Sequence, residues 1–342
     1  MVDRIDASTS EARRLEQAVF QLDPHDDAGF EALRVQVEAY QRSRSPFYDR
    51  FCESLSVARP YLPVEAFGLT PIATFPEDQA EAVFESSGTS GQRRSVHYLR
   101  SLDLYARAVT TEFVRHFGRG PFVVLAHLPF YERSGRRSSL VTMARILIDS
   151  FGATGSGFLH EDIGVLRRAV ESARFPMVLL GAAFGLLDLI DRDQSVVLGS
   201  NDVVIETGGM KTTRRELERN ELHDRLAAGF GIRTGQVWSE YGMCELCSQF
   251  YMRDQLAFRN PAWVRFAVVG VDDPTHALPP GRQGRLAITD LANIHTVSSL
   301  LTSDRAVGLD DGFVVLGRLS GAQLRGCNYL FETARDVIDA PG

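Results

Sequence analysis

Four short apolar runs separated by helical patterns constrain this chain more than any other feature. Residues 122–125, 177–180, 203–205 and 236–238 are compact and rich in β-branched side chains, and amphipathic spacing fills 138–148, 163–173 and 214–228 between them. A parallel strand pair needs a crossover of a dozen residues or more, and a helix is the usual one. Alternation of this kind therefore favours a mainly parallel sheet covered by helices on both faces. Upstream, Leu15, Val19 and Phe20, then Phe30, Leu33, Val37 and Tyr40, repeat at helical spacing, with Asp23-Pro24-His25-Asp26-Asp27 as the break. From about Phe258 the helical patterns vanish. Residues 264–269, 285–289 and 313–316 alternate with Pro-Gly and Asp-Asp-Gly turns, which reads as a small antiparallel sheet or barrel. The expected division is an α/β region over 1–257, a β-rich subdomain over 258–316, and a hinge with a short arm over 317–342.

Composition excludes several classes. With 342 residues, 44% apolar and 24% charged, the chain has room for a large core and two units. A net charge of −7 is opposite to that of a nucleic-acid surface. The longest apolar run, 177–187, is too short to span a bilayer, and because Met1 to Gln17 is charged throughout, no secretory signal is expected. Four scattered cysteines make no disulfide framework. A cytoplasmic protein is expected. Arginine outnumbers lysine thirty-six to one; under such a bias the lone Lys211 is either kept for its chemistry or a chance survivor on a solvated face.

The chemistry concentrates in four loops. Glu85-Ser86-Ser87-Gly88-Thr89-Ser90-Gly91-Gln92-Arg93-Arg94-Ser95 offers close backbone approach, hydroxyl donors and guanidinium forks. That set suits phosphate oxygens, whereas a Ser/Gly linker would lack the arginines, and the Walker ending is missing. Glu206-Thr207-Gly208-Gly209-Met210-Lys211-Thr212 follows the run ending at Ile205. Ser239-Glu240-Tyr241-Gly242-Met243-Cys244-Glu245 follows Trp238, and Thr302-Ser303-Asp304-Arg305 precedes Gly317-Arg318. Open α/β sheets place ligands at such loops. Tyr241 can stack on a base, Asp304 can accept from ribose hydroxyls, and Glu245 can hold Mg²⁺ as a hard oxygen ligand.

In that order, the Ser/Gly/Thr loop, Tyr-Gly-x-x-Glu, Thr-Ser-Asp and Gly-Arg resemble the adenylate-forming superfamily of acyl-CoA synthetases, adenylation domains and luciferase-like enzymes. More narrowly, the stretches Phe84 to Gly91, Gly208 to Thr212, Glu221-Leu222-His223, Ser239 to Met243 with Ser248-Gln249, and Arg325-Gly326-Cys327 look like the acyl-protein synthetase of the bacterial bioluminescence fatty-acid reductase system. The resemblance runs from about residue 30 onward. It implies ATP-dependent activation of a fatty or aryl carboxylic acid to an acyl-adenylate, with ATP and Mg²⁺ as cofactors. The phosphate-loop role then falls on Ser87, Gly88, Thr89, Ser90 and Gly91, with Arg94 where lysine is usual. The adenine-stacking aromatic falls on Tyr241, the metal carboxylate on Glu245, the ribose aspartate on Asp304 and the hinge arginine on Arg318. Gly208, Gly209 and Gly242 belong to the nucleotide motifs, and His223 and Lys211 to the catalytic set.

Two departures matter. Cys244 stands where the superfamily usually has a threonine touching the α-phosphate. The sequence given ends 24 residues after Arg318, short of the usual C-terminal domain with its catalytic lysine, and Lys211 lies upstream of the hinge. Interest shifts to Cys327, the position where acyl-protein synthetases take the acyl group as a thioester, with Arg325 nearby to favour thiolate. Cys244 and Cys247 form one C-x-x-C, half of what a zinc site needs. For the acyl group, Leu128-Pro129-Phe130-Tyr131 with Glu132, the helix from Ser138-Ser139, and Gly181-Ala182-Ala183-Phe184 are apolar or small and follow strands. Each could line a slot or simply pack the core. The expected partners are a carboxylic acid and an acyl-accepting protein or reductase. A non-catalytic assembly subunit, or transfer to an amine, are the alternatives.

Overall fold

The computed structural model describes residues 2–55, 57, 59–86, 93–129, 131, 137–160, 163–208, 217–254, 256–319 and 329–340. It opens with α1 (Val2–Val19), α2 (Asp27–Arg44), α3 (Pro46–Glu53), β1 (Leu62–Pro63), β2 (Ala82–Glu85), β3 (Val96–Leu99) and α4 (Leu102–Phe117). The middle holds β4 (Val123–His127), α5 (Ser139–Phe151), β5 (Gly157–Phe158), α6 (Ile163–Ser172), β6 (Met177–Ala182), α7 (Ala183–Asp191), β7 (Val203–Thr207), α8 (Arg219–Phe230), β8 (Val237–Tyr241) and β9 (Phe250–Arg253). The last part adds β10 (Val264–Val269), β11 (Gln283–Asp290), β12 (Ser299–Leu309), β13 (Gly312–Arg318) and α9 (Tyr329–Asp339). Two compact units form, and neither is contiguous in sequence. One gathers Met1–Tyr105, Cys244–Ser248 and Asn260–Gly342; the other gathers Ala106–Met243 and Gln249–Arg259. The first hundred residues thus cluster with the late strands.

The second unit is built on a six-stranded sheet in the order β5-β4-β6-β7-β8-β9. All neighbours are parallel except β9, which runs antiparallel on β8. β4 and β6 are buried along their whole lengths, which is why their sequences read as continuous apolar runs instead of alternating ones. One face, with Val123, Leu125, Met177, Leu179, Val204 and Val237, packs against Leu186 and Leu187 of α7 and Leu222 and Leu226 of α8. Burying each such side chain contributes about 1.5–3 kcal/mol. On the other face, Trp238 meets the rings of His116 and Phe117 from α4. The expected helix at 214–228 is α8; residues 209–216 lie outside the described residues.

The first unit carries the expected antiparallel sheet, β10-β11-β12 with β13 also on β12, and β1 added in parallel at Leu62↔Leu300 and Pro63↔Leu301. The acidic break in the early helices acts as a cap: Asp26 accepts from the Gly29 amide at 2.8 Å to start α2. Ser45 ends α2 and starts α3, with Pro46 in its first turn. One expectation is corrected. Helices do not vanish after Phe258, because α9 packs on α3 and β1 with Leu330 and Ala334 buried. Their spacing of four is a helical signal, and it falls inside the segment read as an arm. No described helix is long and apolar enough to cross a membrane.

A buried carboxylate fixes the short segment inserted into this unit. Asp290, fully buried at the end of β11, accepts from the amides of Cys247 and Ser248 at 3.0 Å and from the Ser248 hydroxyl at 2.8 Å. The Ala292 amide adds a fourth bond at 3.0 Å, and the Trp263 indole donates to Ser248 Oγ at 2.8 Å. Burial outweighs these donors and pushes the Asp290 carboxyl up from 3.8 to about 6. Over that window the folded state keeps a proton that the unfolded chain has released, so stability falls as pH rises from 3.8 to about 6. Asp290→Asn sets an amide NH₂ among backbone donors. It is expected to lower stability by about 2–4 kcal/mol and to flatten that pH slope, both measured by denaturant midpoints across the window. An unchanged midpoint and slope would remove Asp290 from this role.

Candidate active site

At the carboxyl ends of β7 and β8 the apolar run stops and polar side chains begin. Glu206 pairs in register with Ser239, and Thr207 with Glu240. Because strand side chains alternate, Glu206 and Ser239 share the face covered by α8, while Thr207 and Glu240 point to the other. On the α8 side, Ser239 donates its hydroxyl proton to Glu206 Oε1, and His223 Nε2 lies 2.9 Å from Ser239 Oγ. With its only proton given to Glu206, Ser239 must accept from His223, which places the imidazole proton on Nε2. His223 is fully buried, and its Nδ1 has no hydrogen-bond partner among the described residues.

Arg219 opens α8 on the same helical face, four residues before His223. Its guanidinium stands 5.1 Å over the Phe258 ring. Burial lowers its pKa, with the Glu206 charge opposing that shift. Phe258 in turn lies 5.6 Å from the Tyr241 ring, and Phe250 lies 5.8 Å from it. Tyr241 is thus a half-buried ring at the end of β8, steadied by two phenylalanines. At the end of β7, Gly208 has φ +79°, and a Cβ there would stand 3.0 Å from the Tyr131 hydroxyl. Glycine serves both the left-handed turn and this close approach.

In the first unit, Asp304 of β12 is 8% exposed and is the register partner of Arg318 on β13, with Nε 3.7 Å from Oδ1. Its strand is held by Arg285, whose guanidinium donates to the Thr302 carbonyl and pairs with Glu65 at 3.5 Å, and by Ser303, which donates to Glu65. Glu245 sits in the segment held by Asp290. Its carbonyl accepts from Asn293 at 2.8 Å. The preceding Cys244 carbonyl bonds His97 Nδ1 at 2.6 Å, and burial pushes His97 down to about 4, so this imidazole stays neutral. Cys244 and Cys247 are both buried thiols outside any disulfide among the described residues, and burial raises the Cys247 thiol. Among the described residues no group of three or more His, Cys, Asp or Glu is placed to hold a metal.

The Ser/Gly-rich loop joins β2 to β3, an antiparallel pair closing at Glu85↔Val96. At its base the Ser95 amide donates to Ser86 Oγ at 3.0 Å, and Arg94 reaches Glu85 at 3.8 Å. Ser87, Gly88, Thr89, Ser90, Gly91, Gly209, Lys211 and Cys327 lie outside the described residues. Sequence reading missed Arg219 and Asp290, and it gave no role of their own to His97 or to Glu240 within its loop. A readable signal existed for Glu240, since a carboxylate closing an apolar strand run calls for a reason.

The sequence matches no protein-family model and no curated protein. Solved structures do share its fold. An open conformation of 2-hydroxyisobutyryl-CoA ligase in complex with 2-HIB-AMP and CoA is similar at 14% identity and TM-score 0.63, over 86% of this chain and 70% of that one. The same ligase in the postadenylation state with 2-HIB-AMP gives 14% identity and TM-score 0.63 over 86% and 68%. ATP-bound MatB from Rhodopseudomonas palustris gives 19% identity and TM-score 0.52 over 72% of this chain and 49% of that one, so the chain spans about half of MatB. At these identities the likeness speaks to architecture: the chain has the large-domain fold of adenylate-forming ligases.

Proposed function

We propose that this chain activates a carboxylic acid with ATP, as its sequence resemblance to acyl-protein synthetases implies. A substrate carboxylate oxygen attacks the α-phosphorus, the bond to the β-phosphate oxygen breaks, and pyrophosphate leaves an acyl-adenylate. One observation carries this reading: Tyr241 stands half-buried at the carboxyl end of β8 in a fold shared with ligases seen holding ATP or an acyl-AMP. Tyr241 stacks on the base, Asp304 accepts from the ribose with Arg318 beside it, and Ser87 to Gly91 with Arg94 cradle the phosphates. Gly208, Gly209 and Gly242 allow the backbone to approach the nucleotide. Lys211 supplies a cation. His223, fully buried with Nε2 bonded to Ser239, acts as a positioning residue.

Mg²⁺ fits Glu245 as one hard carboxylate, the remaining ligands coming from the phosphates and water. When bound it neutralises charge on the phosphates. For the second step, the Cys327 thiolate attacks the acyl carbon, the C–O bond to AMP breaks and AMP leaves. A non-catalytic assembly subunit is the second reading, and the buried Cys244 favours it, because it replaces the superfamily threonine.

Carboxylate-dependent exchange of labelled pyrophosphate into ATP separates the two. Exchange with at least one carboxylic acid, from a panel of fatty, aryl and amino-substituted acids, is expected; retained ATP binding with none would favour the assembly subunit. Thr89→Ala, Glu245→Ala and Asp304→Ala are each expected to cut exchange by about 10²–10³ with the fold intact, and near-normal rates in all three would overturn the site. Lys211→Arg is expected to impair exchange, since a planar fork replaces a compact ammonium poorly; a silent result removes Lys211. With ATP, Mg²⁺ and a competent acid, intact-mass measurement is expected to show one hydroxylamine-labile acyl adduct on the Cys327 peptide. Cys327→Ser is expected to lose the adduct and keep exchange. Turnover without an adduct would mean direct transfer to an outside acceptor, an amine included.

A further inference from the structure

Among the described residues, Glu240 is a carboxylate without a counter-ion. It is 7% exposed at the carboxyl end of β8. Thr207 gives its hydroxyl proton to Oε2, and the other oxygen takes no hydrogen bond among the described residues. No described cation pairs with it. The neighbouring Glu206 is different: it has the Ser239 hydroxyl, His223 Nε2 at 3.7 Å and the Arg219 charge. Burial, opposed by the Thr207 bond and reinforced by Glu206, holds the Glu240 carboxyl up at about 7. An uncompensated buried carboxylate is costly, and a second carboxylate on the adjacent strand adds to that cost. A strand end that keeps one has a use for it.

Its row on the sheet runs from Ala182 through Thr207 to Tyr251 of β9. Ala182 pairs with Thr207 in register, and Thr207 with Glu240, so the three form one row across the last layer of a sheet face. Leu128 and Pro129 follow β4, and Tyr131 closes that turn with its amide on the Leu128 carbonyl at 2.9 Å and its hydroxyl against Gly208. These are the residues whose sequence suits an acyl slot. Carboxyl ends of parallel strands are where open α/β sheets take ligands. A buried carboxylate with no counter-ion among the described residues complements, at such a strand end, a carbon skeleton that bears an ammonium group.

We propose that the acid activated by this chain carries an amino group, and that Glu240 holds it. The substrate class is then amino-substituted carboxylic acids, not plain fatty or aryl acids. This inference rests on the adenylation reading. The ion pair would supply the missing counter-charge, with Thr207 orienting the carboxylate, and acids lacking the amine would leave Glu240 buried and unpaired. Sites built around a polar substrate group reject analogues lacking it far more strongly than apolar pockets reject a missing methylene.

The test is pyrophosphate exchange with matched pairs: β-alanine and propionate, 4-aminobutyrate and butyrate, phenylalanine and 3-phenylpropionate, 4-aminobenzoate and benzoate. At least one amino acid is expected to exceed its partner by about 10²-fold or more in kcat/KM. Glu240→Leu is expected to collapse that ratio to near unity by loss of the amine substrate alone. Glu240→Gln, which keeps shape and the Thr207 contact, is expected to lower it at least about tenfold, mostly through KM. If the deaminated acids exchange as well as the amines in the wild type, or if both variants keep the ratio, this inference is overturned while adenylation stands. If no acid of either kind supports exchange, both fall together.

Discussion

The Asp290 carboxylate is the interaction on which the first unit's chemistry depends. Four donors converge on it, two of them backbone amides of a five-residue insert that has no helix or strand of its own. Without such a partner those amides would be orphaned inside the protein. Neutral His97 closes the other end of the insert through the Cys244 carbonyl, and Asn293 takes the Glu245 carbonyl between them. Glu245 is therefore held at both sides by bonds to its neighbours' backbone, and its side chain makes no hydrogen bond or ion pair among the described residues.

The second unit solves a different problem with the same few strands. β7 and β8 are apolar where they cross the core and polar only in their last two or three residues. Their parallel register brings those polar residues into rows, and strand alternation sorts the rows to opposite faces. Hydrophobic burial supplies the stability and the strand ends supply the chemistry. The polar groups sit where they disturb packing least.

Much of this was legible in the sequence, because the signals were local. Residues 177–180 and 203–205 became central strands, and the acidic break at 23–27 parted α1 from α2. Tyr241 fell at a strand end, as its place after Trp238 implied. What stayed hidden depends on partners far along the chain. Glu206 and Ser239 lie 33 residues apart, and Cys247 and Asp290 lie 43 apart. Neither pairing leaves a mark in composition or periodicity. The helix α9 is a separate case: its spacing was visible, but a strand-rich setting drew attention away from it.

The interleaved path of the chain bears on how the protein is made. Ala106–Met243 is interrupted before its unit is complete, the insert Cys244–Ser248 belongs elsewhere, and Gln249–Arg259 then returns to supply the antiparallel edge strand. The other unit waits longest, since β1 pairs with β12 across more than two hundred residues. Long loops must close before such contacts are rewarded, which slows folding. During synthesis the early helices therefore emerge well before their sheet exists, and they need shelter until β12 arrives.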